Sequence, residues 1–287
     1  MTRLLFFGFS LLSLSLFASE VAGVGDPTFI EAKNHFILSS YEALGQVMGL
    51  SPHDYTFSAK ERELIQESVR ETQKVYPMAG DDLQINLDAI STPNGIALNA
   101  KRWMSLAKKD RKNGSLLPAA ALHMHLLSCG IADETYDKTI SIQKYAKALS
   151  GEAVIGEDEN DLKKLEPFRA QIQFQFIATG YEALGMLVSS ADQNIAKYLE
   201  PHADKLHEQL EKLSAEIVSV RTFDDREPKM IIRGTTTSDT LIDYKLWKKL
   251  SDRDRKAAVI HHLLILAKVN QTQPSENRQV LQRLFAK

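Results

Sequence analysis

Of the 287 residues only one, Cys129, is a cysteine. No internal disulfide can form, so the fold must rest on a buried core rather than on the cross-links that small secreted scaffolds lean on. A charge bias is missing too: 35 Lys and Arg face 37 Asp and Glu, for a net charge of −2, and the signs are interspersed. Nucleic-acid binding usually leaves a basic patch, and none is present to support it. No G-x-S-x-G and no G-x-x-x-x-G-K occurs, which removes the nucleophile elbow and the phosphate loop. Cys129 sits in an apolar segment with no plausible base beside it. Beyond the first residues, no apolar run approaches the roughly 20 needed to span a bilayer.

What is present begins with that exception. "MTRLLFFGFSLLSLSLFASEVAG" has one basic residue, Arg3, an apolar run from Leu4 to Phe17, and small residues at Ala18, Ser19, Ala22 and Gly23. This is the layout of a cleaved secretory signal; an anchor would need a longer run, and Glu20 ends this one. No cysteine stands at the exit to carry a lipid. The expectation is an exported protein, periplasmic or secreted, with residues 1–23 removed. The rest, 44% hydrophobic and 25% charged over the full chain, has the composition of a folded soluble protein.

Two patterns then occur twice. "FILSSYEALG" begins at Phe36 and "FIATGYEALG" at Phe176, with seven of ten positions identical. W-x-x-L-x-x-x-D-R-K begins at Trp103 and again at Trp247. Downstream, "AALHMHLLSCGI" lies over "AVIHHLLILAKV", pairing His123 with His261; an insertion, "NGSLLP", shortens the spacing there. Three matches in one order argue for duplication, with halves at 24–150 and 151–287 joined by the polar "SGEAVIGEDENDLKKLEP". Helices are expected over the Y-E-A-L-G segments, although "QIQFQF" also alternates like a strand. Charged amphipathic helices follow, the second bent at Pro201. "DLQINLDAI", with Leu83, Ile85, Leu87 and Ala89 alternating, reads as a half-buried strand. "IALNAKRW" and "TLIDYKLW" read as strands ending near each Trp, and "GTTTSDT" as a hairpin turn. The fold class is α+β, each half having helices around a small antiparallel sheet.

The segment "HMHLLSCGIAD", His123 to Asp133, keeps the first His, the Gly (Gly130) and the final acid of H-E-x-x-H-x-x-G-x-x-H/D. On these residues the region resembles the active site of zincin-type metalloproteases in degenerate form, and exported bacterial proteins with an L-H-E-x-L-x-x-x-G helix. The resemblance implies a zinc site. Met124, however, replaces the general base and Leu127 the second ligand, and catalytic zinc needs three protein ligands with an open position. His125 cannot substitute, because positions i and i+2 point to nearly opposite sides of a helix.

Two readings follow. The first is a binding or structural protein of degenerate zincin-like halves, holding no cofactor. The second is a metal-dependent hydrolase built around His123 and Asp133. For a metal the candidates are His123, Asp133 and His261, with zinc the ion implied; the plainer account is that these are packed, hydrogen-bonded helix residues. Histidines 202 and 207 read as surface residues, with His207 and Glu211 one turn apart. Glu42 and Glu182 recur in the repeat, and Glu42 is placed to pair with a buried Lys or Arg. Trp103 and Trp247 read as core anchors. From the Leu4–Phe17 run, the mature N-terminus is expected between Ser19 and Val24; mass spectrometry of the exported protein finding Met1 intact would contradict this.

Overall fold

Asp26 opens the first helix: its carboxylate accepts a hydrogen bond from the Thr28 amide at 2.8 Å. Pro27 takes the first helical position, where no amide partner is needed. The computed structural model describes residues 25–50, 56–71, 74–78, 87–92, 94–110, 114, 116–133, 135–150, 162–190, 192–199, 201–216, 219–221, 231–269 and 274–285. The first half runs α1 (Pro27–Gly49), α2 (Ala59–Arg70), β1 (Val75–Pro77), β2 (Ala89–Thr92), β3 (Gly95–Leu98), α3 (Ala100–Asp110), α4 (Leu116–Ser128) and α5 (Asp137–Ser150). The second runs α6 (Leu162–Val188), α7 (Gln193–Leu199), α8 (Ala203–Ala215), β4 (Ser219–Arg221), β5 (Ile232–Arg233), β6 (Leu241–Asp243), α9 (Tyr244–Lys249), α10 (Asp252–Leu266) and α11 (Pro274–Phe285). The class is α+β, dominated by helix. No helix among the described residues is long and apolar enough to cross a membrane.

The two sheets share one topology. Their orders are β1-β3-β2 and β4-β6-β5. In each, the third strand pairs antiparallel with the second and parallel with the first. The sheets are therefore mixed, not antiparallel as the strand pattern suggested: the hairpin accounts for one edge only, and the first strand arrives from a helix along the other. Gly95, at φ 133°, closes the first hairpin, and a Cβ there would stand 2.1 Å from the Lys74 carbonyl oxygen. No other residue fits.

Several expected elements shift. Within "DLQINLDAI", residues 81–86 lie outside the described ones, Leu87 is exposed, and β2 starts at Ala89. The strands before each Trp stop early because a polar residue caps a helix at the same place. Asn99 Oδ1 accepts from the Arg102 amide at 3.3 Å, and Asp243 Oδ1 from the Leu246 amide at 2.9 Å. Trp103 and Trp247 consequently sit near the start of a helix rather than at a strand end. "QIQFQF" is helical, with Ile172, Phe174 and Phe176 buried. α6 packs on α1, α8 and α10, and a helix covered on several sides carries no single apolar stripe from which to read a period. The bend expected at Pro201 is a full break between α7 and α8.

The halves meet along α1 and α6, the most extensive helix–helix contact among the described residues. A Cβ on Gly45 would lie 2.8 Å from the Ala178 carbonyl oxygen and 3.1 Å from Tyr181 Cβ; one on Gly185 would lie 2.5 Å from Tyr41 Cβ. Each motif's glycine thus receives the other motif's tyrosine, and the backbones approach more closely than any side chain would permit. Leu44 and Val47 share one apolar cluster with Ile177, Leu184 and Leu263, which spans both halves, while Phe36, Trp103 and the first sheet's Val75, Ile96 and Leu98 form a second cluster. The repeated motifs also touch within each half. Phe36 packs edge-on against Trp103 with ring centres 5.0 Å apart, and Phe176 lies tilted against Trp247 at 5.8 Å. Both Trp side chains are fully buried.

These contacts fix the expected costs. Trp103→Ala and Trp247→Ala should each destabilise by about 3–5 kcal/mol through the cavities they leave. Gly45→Ala and Gly185→Ala should each cost about 1–3 kcal/mol by overpacking, against the gain of up to about 1 kcal/mol that Gly→Ala gives an unobstructed helix. Urea unfolding reads both; a stabilising Gly45→Ala would refute the close approach.

Candidate functional site

The Y-E-A-L-G helices place Glu42 on α1 and Glu182 on α6 beside one cleft of about 700 Å³, whose walls include Gln46, Gln143, Lys144, Lys147, Phe174 and Ala178. Lys256 Nζ on α10 lies 2.5 Å from Glu182 Oε1 and 2.7 Å from Asp252 Oδ2. Burial pushes the Glu182 carboxyl up, and Lys256 only partly offsets it; the Lys256 ammonium, which burial would lower, is held up by Glu182 and Asp252. Glu42 has no such contact among the described residues. Burial, then the neighbouring Glu182, pushes its carboxyl to about 8, with Lys256 opposing and Asp110 and Asp252 adding. The pairing with a buried cation expected of Glu42 is found instead at its counterpart Glu182. Glu42 itself is a carboxyl pushed up to about 8 in a cleft wall, the kind of perturbed group that marks functional sites.

The metal candidates are partly brought together. His123 donates from Nδ1 to Asp133 Oδ2 at 3.0 Å, and Asp133 also accepts from the Lys138 and Thr139 amides and the Thr139 hydroxyl. The Tyr136 ring stacks on His123 at 3.8 Å. Asp133 therefore serves as a buried acceptor that orients the imidazole and caps the start of α5. His261 is exposed on α10, whereas its neighbour His262 is buried. Among the described residues no group of three His, Cys, Asp or Glu side chains could hold a metal ion.

Three further histidines are structural donors and acceptors. His125 Nε2 donates to Ser40 Oγ at 2.9 Å, because Ser40 gives its own proton to the Phe36 carbonyl. Its Nδ1 then accepts from the Ser68 hydroxyl at 2.8 Å. His207 is buried, not the surface residue its charged helix suggested. Its Nδ1 donates to the Ala203 carbonyl and its Nε2 accepts from Tyr41 at 2.7 Å, joining the halves. Sequence carried no signal for this bond beyond the recurrence of the tyrosine. His262 donates to Thr240 Oγ1 at 3.0 Å, since Thr240 itself donates to the Thr236 carbonyl. Burial lowers His125 to about 3 and His207 and His262 to about 4.

The Ser68–His125 pair lines a smaller pocket of about 290 Å³ with Cys129 and Ser128. An imidazole so strongly depressed, backed by a serine rather than a carboxylate, is a poor general base. The aspartates of the two D-R-K motifs lie at helix starts: Asp110 accepts from the Leu116 and Leu117 amides of α4, while in α10 the cap is Ser251, whose hydroxyl accepts from the Asp254 amide and donates to the Asp254 carboxylate. Arg111 and Lys112 lie outside the described residues. Comparison of the chain with protein-family models, curated proteins and solved structures returns no match.

The pKa shifts set two opposing limbs of stability against pH. Below about 6.5 the unfolded chain takes up protons that buried His125, His207 and His262 refuse, so stability falls from there toward pH 4, by about 1 kcal/mol per histidine per pH unit. For Glu42 the sign reverses: the folded state holds a proton the unfolded chain gives up, so stability falls as pH rises from 4.5 to about 8. Urea unfolding from pH 4 to 9 should show both limbs, and Glu42→Gln should flatten the upper one. An unchanged upper limb in that variant would refute the assignment.

Proposed function

We propose that the chain is an exported protein formed by duplication of one α+β unit, and that it binds a small molecule in the cleft beside Glu42 and Glu182 rather than catalysing a reaction. One observation carries the reading: glutamates at matching positions of the two Y-E-A-L-G motifs come together at the largest described cleft. Their equivalence gives a duplicated chain a composite site that neither half has alone. The duplication is supported by the repeated motifs, the shared sheet topology and the matched Phe–Trp contacts. Export is supported by the signal-like first residues.

Against catalysis stand Met124 and Leu127 in the places where a zincin carries its base and second ligand. In this proposal the zincin-like helix is a relic, its first ligand position, His123, now tied to Asp133. Native mass spectrometry tests the reading. Wild-type protein reloaded with a small-molecule extract of its host should retain an adduct that Gln46→Trp, which fills the cleft, does not. Equal spectra of the two folded proteins would contradict it. Stoichiometric zinc in the purified mature protein would favour the hydrolase reading instead.

A further inference from the structure

The near-zero charge of the whole chain does not hold helix by helix. α3 carries Lys101, Arg102, Lys108 and Lys109 against a single acid, Asp110, which is buried and holds the start of α4. Lys101, Ser105, Lys108 and Lys109 are exposed, and their spacing places them within about a third of the helix circumference. The opposite side is committed to the core through Trp103 and Ala107. Arg102, at the edge, pairs with Asp88 at 3.1 Å. Among the described residues no carboxylate stands at ion-pair distance from Lys101, Lys108 or Lys109. The helix dipole accounts for Lys108 and Lys109, which lie in the last turn. It disfavours a cation in the first turn, so the stability of α3 gives no reason for Lys101.

Exposed leucines stand at both ends of this helix. Leu87, 48% exposed, precedes the aspartate that holds Arg102; Leu116, 41% exposed, gives its amide to Asp110.

We propose that α3, flanked by these leucines, is a docking face for an anionic phospholipid bilayer, which the protein meets peripherally. The lysines complement a negative headgroup layer, each raising the affinity about fivefold, and the leucines add apolar area for the acyl boundary. With its apolar side held in the core by Trp103, α3 lies against the headgroups and does not insert. Nucleic acid fits this face less well, because it presents point charges and one hydroxyl without guanidinium forks or stacking rings. The equivalent stretch of the second half alternates in sign, Lys248 and Lys249 being followed by Asp252, Arg253 and Asp254. The face therefore belongs to the first half.

The test is co-sedimentation of the mature protein, freed of residues 1–23, with vesicles of phosphatidylcholine alone or with about 30% phosphatidylglycerol. Binding should require the anionic lipid and weaken about tenfold as salt rises from about 0.05 to about 0.5 M. Replacing all three lysines, Lys101→Gln, Lys108→Gln and Lys109→Gln, should cost about a hundredfold in affinity, with urea unfolding showing the fold intact. Lys248→Gln with Lys249→Gln should cost less than about threefold, because acids already offset those charges. Leu87→Ser with Leu116→Ser should weaken binding and leave its salt dependence unchanged. Equal binding to neutral vesicles would overturn the proposal, as would a triple variant that binds like wild type or an equal loss from the second-half pair. Capture by heparin without capture by vesicles would also overturn it, marking the face as one for a soluble polyanion.

Discussion

Two helices carrying the same five residues, Tyr-Glu-Ala-Leu-Gly, cross where each glycine faces the other's tyrosine. It is the most extensive helix–helix contact among the described residues, and the larger of the two apolar clusters is built around it. With Cβ atoms excluded at Gly45 and Gly185, α1 and α6 come close enough for one apolar cluster to run through both halves. The same approach puts Glu42 and Glu182 side by side, carries Tyr41 across to His207 in the other half, and turns Phe36 and Phe176 outward onto the two tryptophans. A chain whose one cysteine can form no internal disulfide relies on such a buried cluster, because the larger the apolar surface removed from water, the larger the margin over conformational entropy.

Polar groups are buried along this core in a consistent way. His125, His207 and His262 each bind partners from outside their own helix or its first turn, and each is held neutral by burial. A neutral imidazole can donate on one side and accept on the other, which suits a site where two hydroxyls or a hydroxyl and a carbonyl must be satisfied together. Such networks specify one packing when complete and are costly when broken. The cleft glutamates differ. Glu182 is paired with Lys256, while Glu42 has no such ion pair among the described residues and burial, then Glu182, pushes its carboxyl up.

Part of this was legible in the residues: the Trp positions indicated core anchors, and "GTTTSDT" does turn between β5 and β6. Helix ends were less legible because Asn99 and Asp243 look equally at home in a strand margin and at a cap. The period of "QIQFQF" misled for a physical reason: a helix buried on several sides loses its stripe. His207 was misplaced because its helix is charged on the outer face, and nothing local shows that a tyrosine from the other half reaches it. The glutamates were visible as a repeat, but their convergence needs the tertiary crossing of α1 and α6.

That crossing is most directly tested by native-state hydrogen exchange. If the α1–α6 contact is the interaction on which both halves depend, the amides around Tyr41 to Gly45 and Tyr181 to Gly185 should be among the slowest in the protein. They should open together, with a free energy equal to that of global unfolding. Exchange through one helix at a markedly lower free energy, while the other half keeps its protection, would contradict the account, because the halves would then be independent units that merely touch.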